Sequence, residues 1–237
     1  KESNGSANGY YGIIAPCLLE IGLPAPNDEK SKLITDALEQ CGGLVAGISQ
    51  FHSMADHAYT YGYWMNCLQR DEVKRAILGL YGSLAYGMSL DTYSAVECTM
   101  IRTGDNYWML PHTYSNTQQL RLLRNILVRE DGETLWLGQA IPRDWLVAGK
   151  RVAVNDAPTT FGPVTYSIEP KADGSMQVQL SPPVRNAPKE IAIWLRDPKQ
   201  RKIARVKTSG VAKVKFKNET VRLTGVSAPV TLEVSFR

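Results

Sequence analysis

The chain has 237 residues, of which 43% are apolar and 21% charged, with a formal net charge of +4. No run approaches the roughly eighteen uninterrupted apolar residues of a membrane span, and no repeat bias is present, which excludes a transmembrane helix, collagen and an extended disordered tail. At roughly 100–200 residues per domain this length predicts two ordinary domains, each able to bury a core. Residues 1–128 carry 9 Lys and Arg against 12 Asp and Glu, whereas residues 129–237 carry 18 against 11. A domain boundary is expected where the charge changes sign.

Lys1 to Gly9 is polar, lacks an initiator Met and has no apolar signal-peptide core. It is expected to be a disordered or foreign leader left by an internal cut, with any targeting signal lost alongside the missing part. Tyr11 to Leu23 is apolar and ends at Gly22 and Pro24, so a first helix is predicted. Asn27-Asp28-Glu29 then caps a helix whose apolar positions Leu33, Ile34, Ala37, Leu38 and Cys41 follow three-four spacing before Gly42-Gly43 stops it. An aromatic third helix is predicted over His57–Leu68 and a fourth over Asp71–Met88. A fifth is predicted over Ser115–Val128, with the apolar set Leu120, Leu123, Ile126 and Leu127.

After Arg129 the hydrophobic period changes to two. Glu133–Ile141, Arg151–Asn155, Val164–Glu169, Met176–Leu180, Glu190–Leu195, Ile203–Val206, Ala212–Phe216, Thr220–Leu223 and Val230–Phe236 are short alternating runs separated by turn residues such as Asp173-Gly174 and Pro182-Pro183. Strands at this spacing predict an antiparallel β-sandwich. The predicted fold class is therefore α+β and multidomain: a leader over 1–9, an α-helical hairpin domain over 10–128 and a β-sandwich domain over 129–237. Trp136, Ile141 and Trp145 are expected to bury against the last helices.

All three histidines, all four cysteines and ten of eleven tyrosines precede Val128, so chemistry is expected in the first half. Cys17, Cys41 and Cys67 sit among apolar helical neighbours and predict buried free thiols rather than bridges, and no spacing resembles a zinc site. If successive helices form hairpins, the long connections Gly43–Asp56 and Ser89–His112 fall at one end. They carry His52, Asp56, His57, Asp91, Glu97, Arg102, Asp105, Trp108 and His112, and long loops on a scaffold are where binding and catalytic groups concentrate.

Several segments together resemble a known family. They are Tyr59–Tyr63, Asp71-Glu-Val, Leu80-Tyr-Gly-Ser-Leu-Ala-Tyr-Gly-Met88, Ser94-Ala-Val-Glu97, Leu110-Pro-His-Thr-Tyr-Ser-Asn116, Leu123–Trp136 and Ala140-Ile-Pro-Arg-Asp-Trp-Leu146. Over most of residues 10–170 the chain resembles the C-terminal part of bacterial six-hairpin glycosidase-like proteins, which are (α/α)6 toroids followed by a β-sandwich. About five predicted helices are too few to close six hairpins, so the resemblance implies the last two hairpins or so plus the sandwich, as a fragment inactive alone.

The resemblance implies glycoside hydrolysis on a poly- or oligosaccharide, a reaction that normally needs two carboxyl groups, one protonated and one ionised. Glu97, flanked by Ala95, Val96 and Cys98, is the first candidate; its bland alternative is a carboxylate that fixes the loop. Asp56 is the second, and its bland alternative is a helix cap. Asp91 and Asp105 lie in turn contexts and are expected to be solvated or turn-forming. Tyr61, Trp108 and Tyr107 are candidates for stacking on sugar rings, and His52, His57, Arg102 and His112 for substrate binding. No metal and no cofactor are expected.

The basic strands from Lys199 to Lys217 predict a solvated or docking face rather than nucleic-acid binding. The expected partners are thus a carbohydrate substrate and the missing N-terminal part of the same polypeptide, with no nucleic acid and no membrane insertion, in a periplasmic or extracellular, secreted setting. Two alternatives remain open. One is a polysaccharide lyase using Tyr114, His112, Asn116 and Arg102. The other is a non-catalytic carbohydrate-binding or assembly protein.

Overall fold

A computed structural model describes residues 5–89, 92–210 and 213–237. The chain divides into two compact units, Lys1–Arg124 and Asn125–Arg237. The first unit opens with α1 (Tyr10–Glu20), α2 (Glu29–Gln40), β1 (Leu44–Val45), β2 (Ile48–Phe51) and β3 (Met54–Asp56). Then follow α3 (Tyr61–Gln69), α4 (Val73–Tyr86), β4 (Cys98–Met100), β5 (Asn106–Tyr107) and α5 (Thr113–Leu127). Next come β6 (Val128–Asp131), β7 (Thr134–Leu137), β8 (Val152–Ala157), β9 (Val164–Pro170) and β10 (Met176–Ser181). β11 (Glu190–Trp194), β12 (Ile203–Ser209), β13 (Lys213–Lys217), β14 (Thr220–Thr224) and β15 (Val230–Phe236) complete the second unit. The protein is therefore a mixed α+β chain with five helices and three sheets among the described residues.

The first unit is not purely helical, contrary to the expectation from its periodicity. The connections Gly43–Asp56 and Ser89–His112 form a five-stranded antiparallel sheet in the order β1-β2-β3-β4-β5. Strands of two to four residues carry too little pattern to register as period two. The third helix begins at Tyr61, because His57 and Ala58 belong to the turn that leaves β3. Asp28 does cap α2, accepting a bond from the Lys30 amide at 2.8 Å.

Helix α1 packs against α3. A side chain on Gly62 would collide with the Pro16 carbonyl oxygen and the Glu20 amide of α1, so glycine is what permits this approach. Trp64 and Leu68 of α3 are fully buried with Leu38 of α2 and Ile48 of β2, and the Trp64 indole N–H donates to the Gly47 carbonyl at 2.7 Å. The helical core thus fixes the sheet that follows from it.

The second unit has two five-stranded sheets, β12-β15-β10-β9-β8 and β13-β14-β11-β7-β6. Their inward residues, including Leu135, Leu137, Ile168, Val178, Ile193, Val221 and Leu232, form one core. Sheet pairing departs from the expected all-antiparallel pattern, since β7 and β11 run parallel. Strand β6, paired with β7, already begins at Val128, which the sequence reading placed as the last residue of the fifth helix, so the β pattern starts before the predicted first strand at Glu133. Ile141 lies in the sandwich core and Trp145 packs against it, while Trp136 alternates with the core residues Leu135 and Leu137 and so points to the opposite sheet face. Within this unit Ile141 and Trp145 pack in the sandwich itself, whereas Trp136 does not share that core.

Replacing Gly62 with Ala should destabilise the first unit by roughly 1–3 kcal/mol, the usual range for overpacking a rigid contact. Urea unfolding followed by tryptophan fluorescence reads this as a lower midpoint at unchanged slope, and an unchanged midpoint would contradict the close α1–α3 approach.

Candidate functional site

Strand β3 ends at Asp56 and β4 begins at Cys98, and the two residues face each other across the ladder. The bond from the His57 amide to the Glu97 carbonyl, at 2.9 Å, extends the pairing by one step. Glu97 is held a second time where its own amide donates to the Met109 carbonyl at 3.3 Å. Two chain segments some forty residues apart in sequence thereby place Asp56, His57, Glu97 and Cys98 at one end of the small sheet.

Asp56 is 2% exposed. Burial pushes its pKa up to about 6; the Glu97 charge adds to that rise, while bonds from the Ala58 and Tyr59 amides and from Cys98 oppose it. The Ala58 amide donates to Oδ1 at 2.9 Å, so Asp56 closes the turn after β3, although it is not the cap of α3. Glu97 is half-buried and is the more accessible carboxyl of the two. Burial raises the Cys98 thiol, with Asp56 and Glu97 reinforcing the effect. It also raises the Tyr59 phenol, which feels Asp56, Glu97, Tyr114 and Cys17 in that order. The rings of Tyr59 and Tyr114 lie 6.1 Å apart. All four cysteines are free thiols, but only Cys67 and Cys98 are buried, and Cys17 and Cys41 are half-buried.

His57 is fully enclosed. Its Nε2 lies 3.3 Å from the Thr99 hydroxyl, and its Nδ1 has no hydrogen-bond partner among the described residues. A Cβ on Gly87 would stand 2.8 Å from that nitrogen, so the ring occupies space that only glycine leaves open. Burial depresses its pKa to about 4 and keeps the ring neutral. Tyr61 is also buried, with the Arg121 guanidinium 3.7 Å above its ring and Arg121 paired with Glu20 at 2.8 Å. His112 stands just before α5, where Nδ1 meets the Ser115 hydroxyl at 2.7 Å, and its amide donates to the Ala95 carbonyl at 2.8 Å.

The remaining candidates lie elsewhere on the sheet. His52 is in the turn between β2 and β3, and Arg102 is exposed in the turn between β4 and β5, both at the end of these strands opposite Asp56 and Glu97. Trp108 is 55% exposed and extends an aromatic surface: its ring is 6.1 Å from Phe51, which lies 4.4 Å from His52 and 5.3 Å from Tyr10. His52 and Trp108 both hold positive φ, 56° and 65°, a conformation strained for residues with side chains. Sequence reading missed Phe51 and Tyr10 in this surface, and Cys98 and Tyr59 beside the carboxyls. Asp105 accepts from the Thr103 hydroxyl at 2.7 Å, a turn role as expected, and Asp91 lies outside the described residues. Among the described residues no group of three or more His, Cys, Asp and Glu could hold a metal ion, and no helix is long and apolar enough to cross a membrane.

Asp56 and His57 give opposite pH dependences of stability. The raised Asp56 value means that its contribution is fully present below the ordinary carboxylate range near 3.8 and is lost as pH rises through about 6. The depressed His57 value means that its contribution is present above the ordinary 6.5 and is lost as pH falls toward about 4. The two offset each other between pH 4 and 6, each on the order of 3 kcal/mol. Asp56→Asn keeps the acceptor for Ala58 and removes one side of this balance. Its melting temperature should therefore fall more steeply than the wild type between pH 6.5 and 4, and parallel curves would contradict the assignment.

No family model and no curated protein matches the chain. Among solved structures it is similar to a GH127 β-L-arabinofuranosidase from Geobacillus stearothermophilus, with 13% identity over 95% of this chain and 41% of that one, at a TM-score of 0.39. The catalytic domain of GH30 xylanase C from Talaromyces cellulolyticus is matched at 16% identity over 46% of this chain and 27% of that one, with a TM-score of 0.26. A GH51 arabinofuranosidase from Xanthomonas axonopodis pv. citri is matched at 10% identity over 89% of this chain and 56% of that one, again at 0.26. The chain thus spans between 27% and 56% of the length of these structures.

Proposed function

We propose that the chain is the C-terminal portion of a secreted or periplasmic bacterial protein of the six-hairpin glycosidase-like kind, and that it contributes Glu97 to glycoside hydrolysis. In this reading the helices are the last hairpins of an (α/α)6 toroid. The observation that carries the reading is the placement of two carboxyl-bearing residues at one sheet end: Glu97, half-buried and pinned by two backbone bonds, and Asp56, buried, whose pKa burial pushes up to about 6.

Glycoside cleavage needs a proton delivered to the leaving oxygen while positive charge on the sugar ring is stabilised. Glu97 is the group that meets the substrate. Asp56 is a positioning residue that acts through it, retaining a proton beside Glu97 at mildly acid pH and placing a negative charge there above it. The second catalytic carboxylate comes from an earlier part of the polypeptide, so residues 1–237 alone are expected to be inactive. His57 orients Thr99, and His112 organises the start of α5.

The exposed rings of Tyr10, Tyr107 and Trp108, with half-buried Phe51 between Tyr10 and Trp108, support a second reading, a carbohydrate-binding or assembly protein without turnover, because sugar C–H faces pack on such rings. Turnover distinguishes the two. In the complete natural polypeptide, assayed on a panel of aryl glycosides and polysaccharides, Glu97→Gln should lower turnover by about a hundredfold or more with unchanged melting temperature. Asp56→Asn should instead move the pH profile in the region near 6. Retained turnover per folded molecule in Glu97→Gln would remove Glu97 from the chemistry, and an ultraviolet-absorbing unsaturated product would make the reaction a lyase reaction.

A further inference from the structure

Large apolar side chains that face water are concentrated in one unit. Among the described residues 21 are exposed, and all but Val184 and Phe216 lie in the first unit. Isolated exposed hydrophobics are ordinary on a protein surface, whereas a contiguous set marks a contact face. Helix α1 carries such a set. At about 3.6 residues per turn, Tyr10, Tyr11, Ile14, Leu18 and the capping residue Ile21 fall within one arc of about 100°. Each is between 43 and 68% exposed.

The helix cannot turn this stripe inward. Its other side, with Gly12, Ala15, Pro16 and Leu19, is buried. A Cβ on Gly12 would stand 2.8 Å from the Gln50 carbonyl oxygen, and Gly62 of α3 closes on Pro16 and Glu20, so both approaches are fixed. No charge interrupts the stripe: α1 has no basic residue, and its Glu20 lies outside the arc, paired with Arg121. Helix α4 also exposes Leu78, Tyr81 and Leu84, but Lys74 shares their arc. A helix that is apolar on every side packs on every side.

We propose that α1 is a homotypic interface, on which the stripe of one chain packs against the same stripe of a second copy, with the two helices antiparallel about a twofold axis. Five side chains of this size, each about half exposed, offer on the order of 500 Å² of apolar surface. A standard interface buries about 800 Å² per partner, so the stripe and the exposed Leu23 beyond it supply most of what a dimer needs. The stripe also complements itself. Antiparallel pairing sets Ile14 against Leu18 and the bulky Tyr11 against Ile21, and it brings no like charges together at the axis. A lipid surface fits less well, because membrane-surface helices carry lysine and arginine and α1 has neither. The interface stands apart from the roles of Asp56 and Glu97.

Sedimentation velocity of the 237-residue chain across a wide concentration range tests this. A monomer–dimer equilibrium with no larger species is expected. Leu18→Glu should raise the dimer dissociation constant about tenfold or more, since it buries an unpaired charge, with helical circular dichroism unchanged. Adding Ile14→Lys should recover much of that loss, because positions 14 and 18 meet across the axis. Ile21→Gln, at the cap, should weaken the dimer severalfold and reads the same interface without a charge inside α1. Leu78→Glu on α4 should leave the equilibrium unchanged. The proposal is overturned if the chain is monomeric throughout, if the dimer survives Leu18→Glu and Ile21→Gln, or if Leu78→Glu disrupts it instead. Open-ended association would also overturn it, because a twofold contact closes on itself. A dimeric 237-residue chain alongside a monomeric complete natural polypeptide would assign the stripe to another segment of that polypeptide and overturn it as well.

Discussion

The antiparallel pairing of β3 with β4 is the constraint on which the arrangement of Asp56, His57, Glu97 and Cys98 depends. Three residue pairs, Met54 with Met100, Ala55 with Thr99 and Asp56 with Cys98, align two segments that the chain separates by α3 and α4. Because strand pairing has a period of two, a slip of one residue would turn every side chain to the opposite face. The bond from the His57 amide to the Glu97 carbonyl lies just beyond the last of these pairs and depends on their register. The helices in turn hold the sheet: Trp64 of α3 bonds to Gly47 between β1 and β2.

Burial at this sheet end sets two ionisable groups against each other. Removing water penalises the charged form of each, so Asp56 keeps its proton and His57 loses its own as the surroundings dictate. Asp56 retains enough hydrogen bonding, from the Ala58 and Tyr59 amides and Cys98, to remain ionisable near neutrality. His57 has only the Thr99 hydroxyl and an unpartnered nitrogen, so nothing stabilises its cation. A carboxyl that titrates near neutrality beside a second, more accessible one is a useful arrangement for proton transfer, whereas a neutral enclosed imidazole is useful chiefly for packing and orientation.

The helices were legible in the sequence because their signals are local: Asp28 before α2, three-four spacing through Leu38, and Gly42-Gly43 at its end. The longer strands of the second unit were legible for the same reason. What could not be read were decisions made across the chain. The parallel neighbours β7 and β11 are separated by β8, β9 and β10, and no property of Thr134–Leu137 taken alone specifies that partner. Strands β1 to β5 are too short for periodicity, although Ala46-Gly47 and His52-Ser53, each with one or two positive φ values, mark the turns between them. At the site, Glu97 and Asp56 could be nominated from residue type and loop length. Their coupling through β3 and β4, and the enclosure of His57 against Gly87, follow from tertiary packing that residue type does not encode.

The central claim is that Asp56 and Glu97 form an electrostatically coupled pair, and the titration of the Asp56 side-chain carboxyl carbon by NMR in selectively labelled protein measures it directly. The wild-type midpoint is expected near pH 6, with a downward displacement in Glu97→Gln once the neighbouring charge is removed. A wild-type midpoint in the ordinary aspartate range near 4, or a midpoint that does not move in Glu97→Gln, would contradict the coupling and with it the assignment of this sheet end as the chemical centre of the unit.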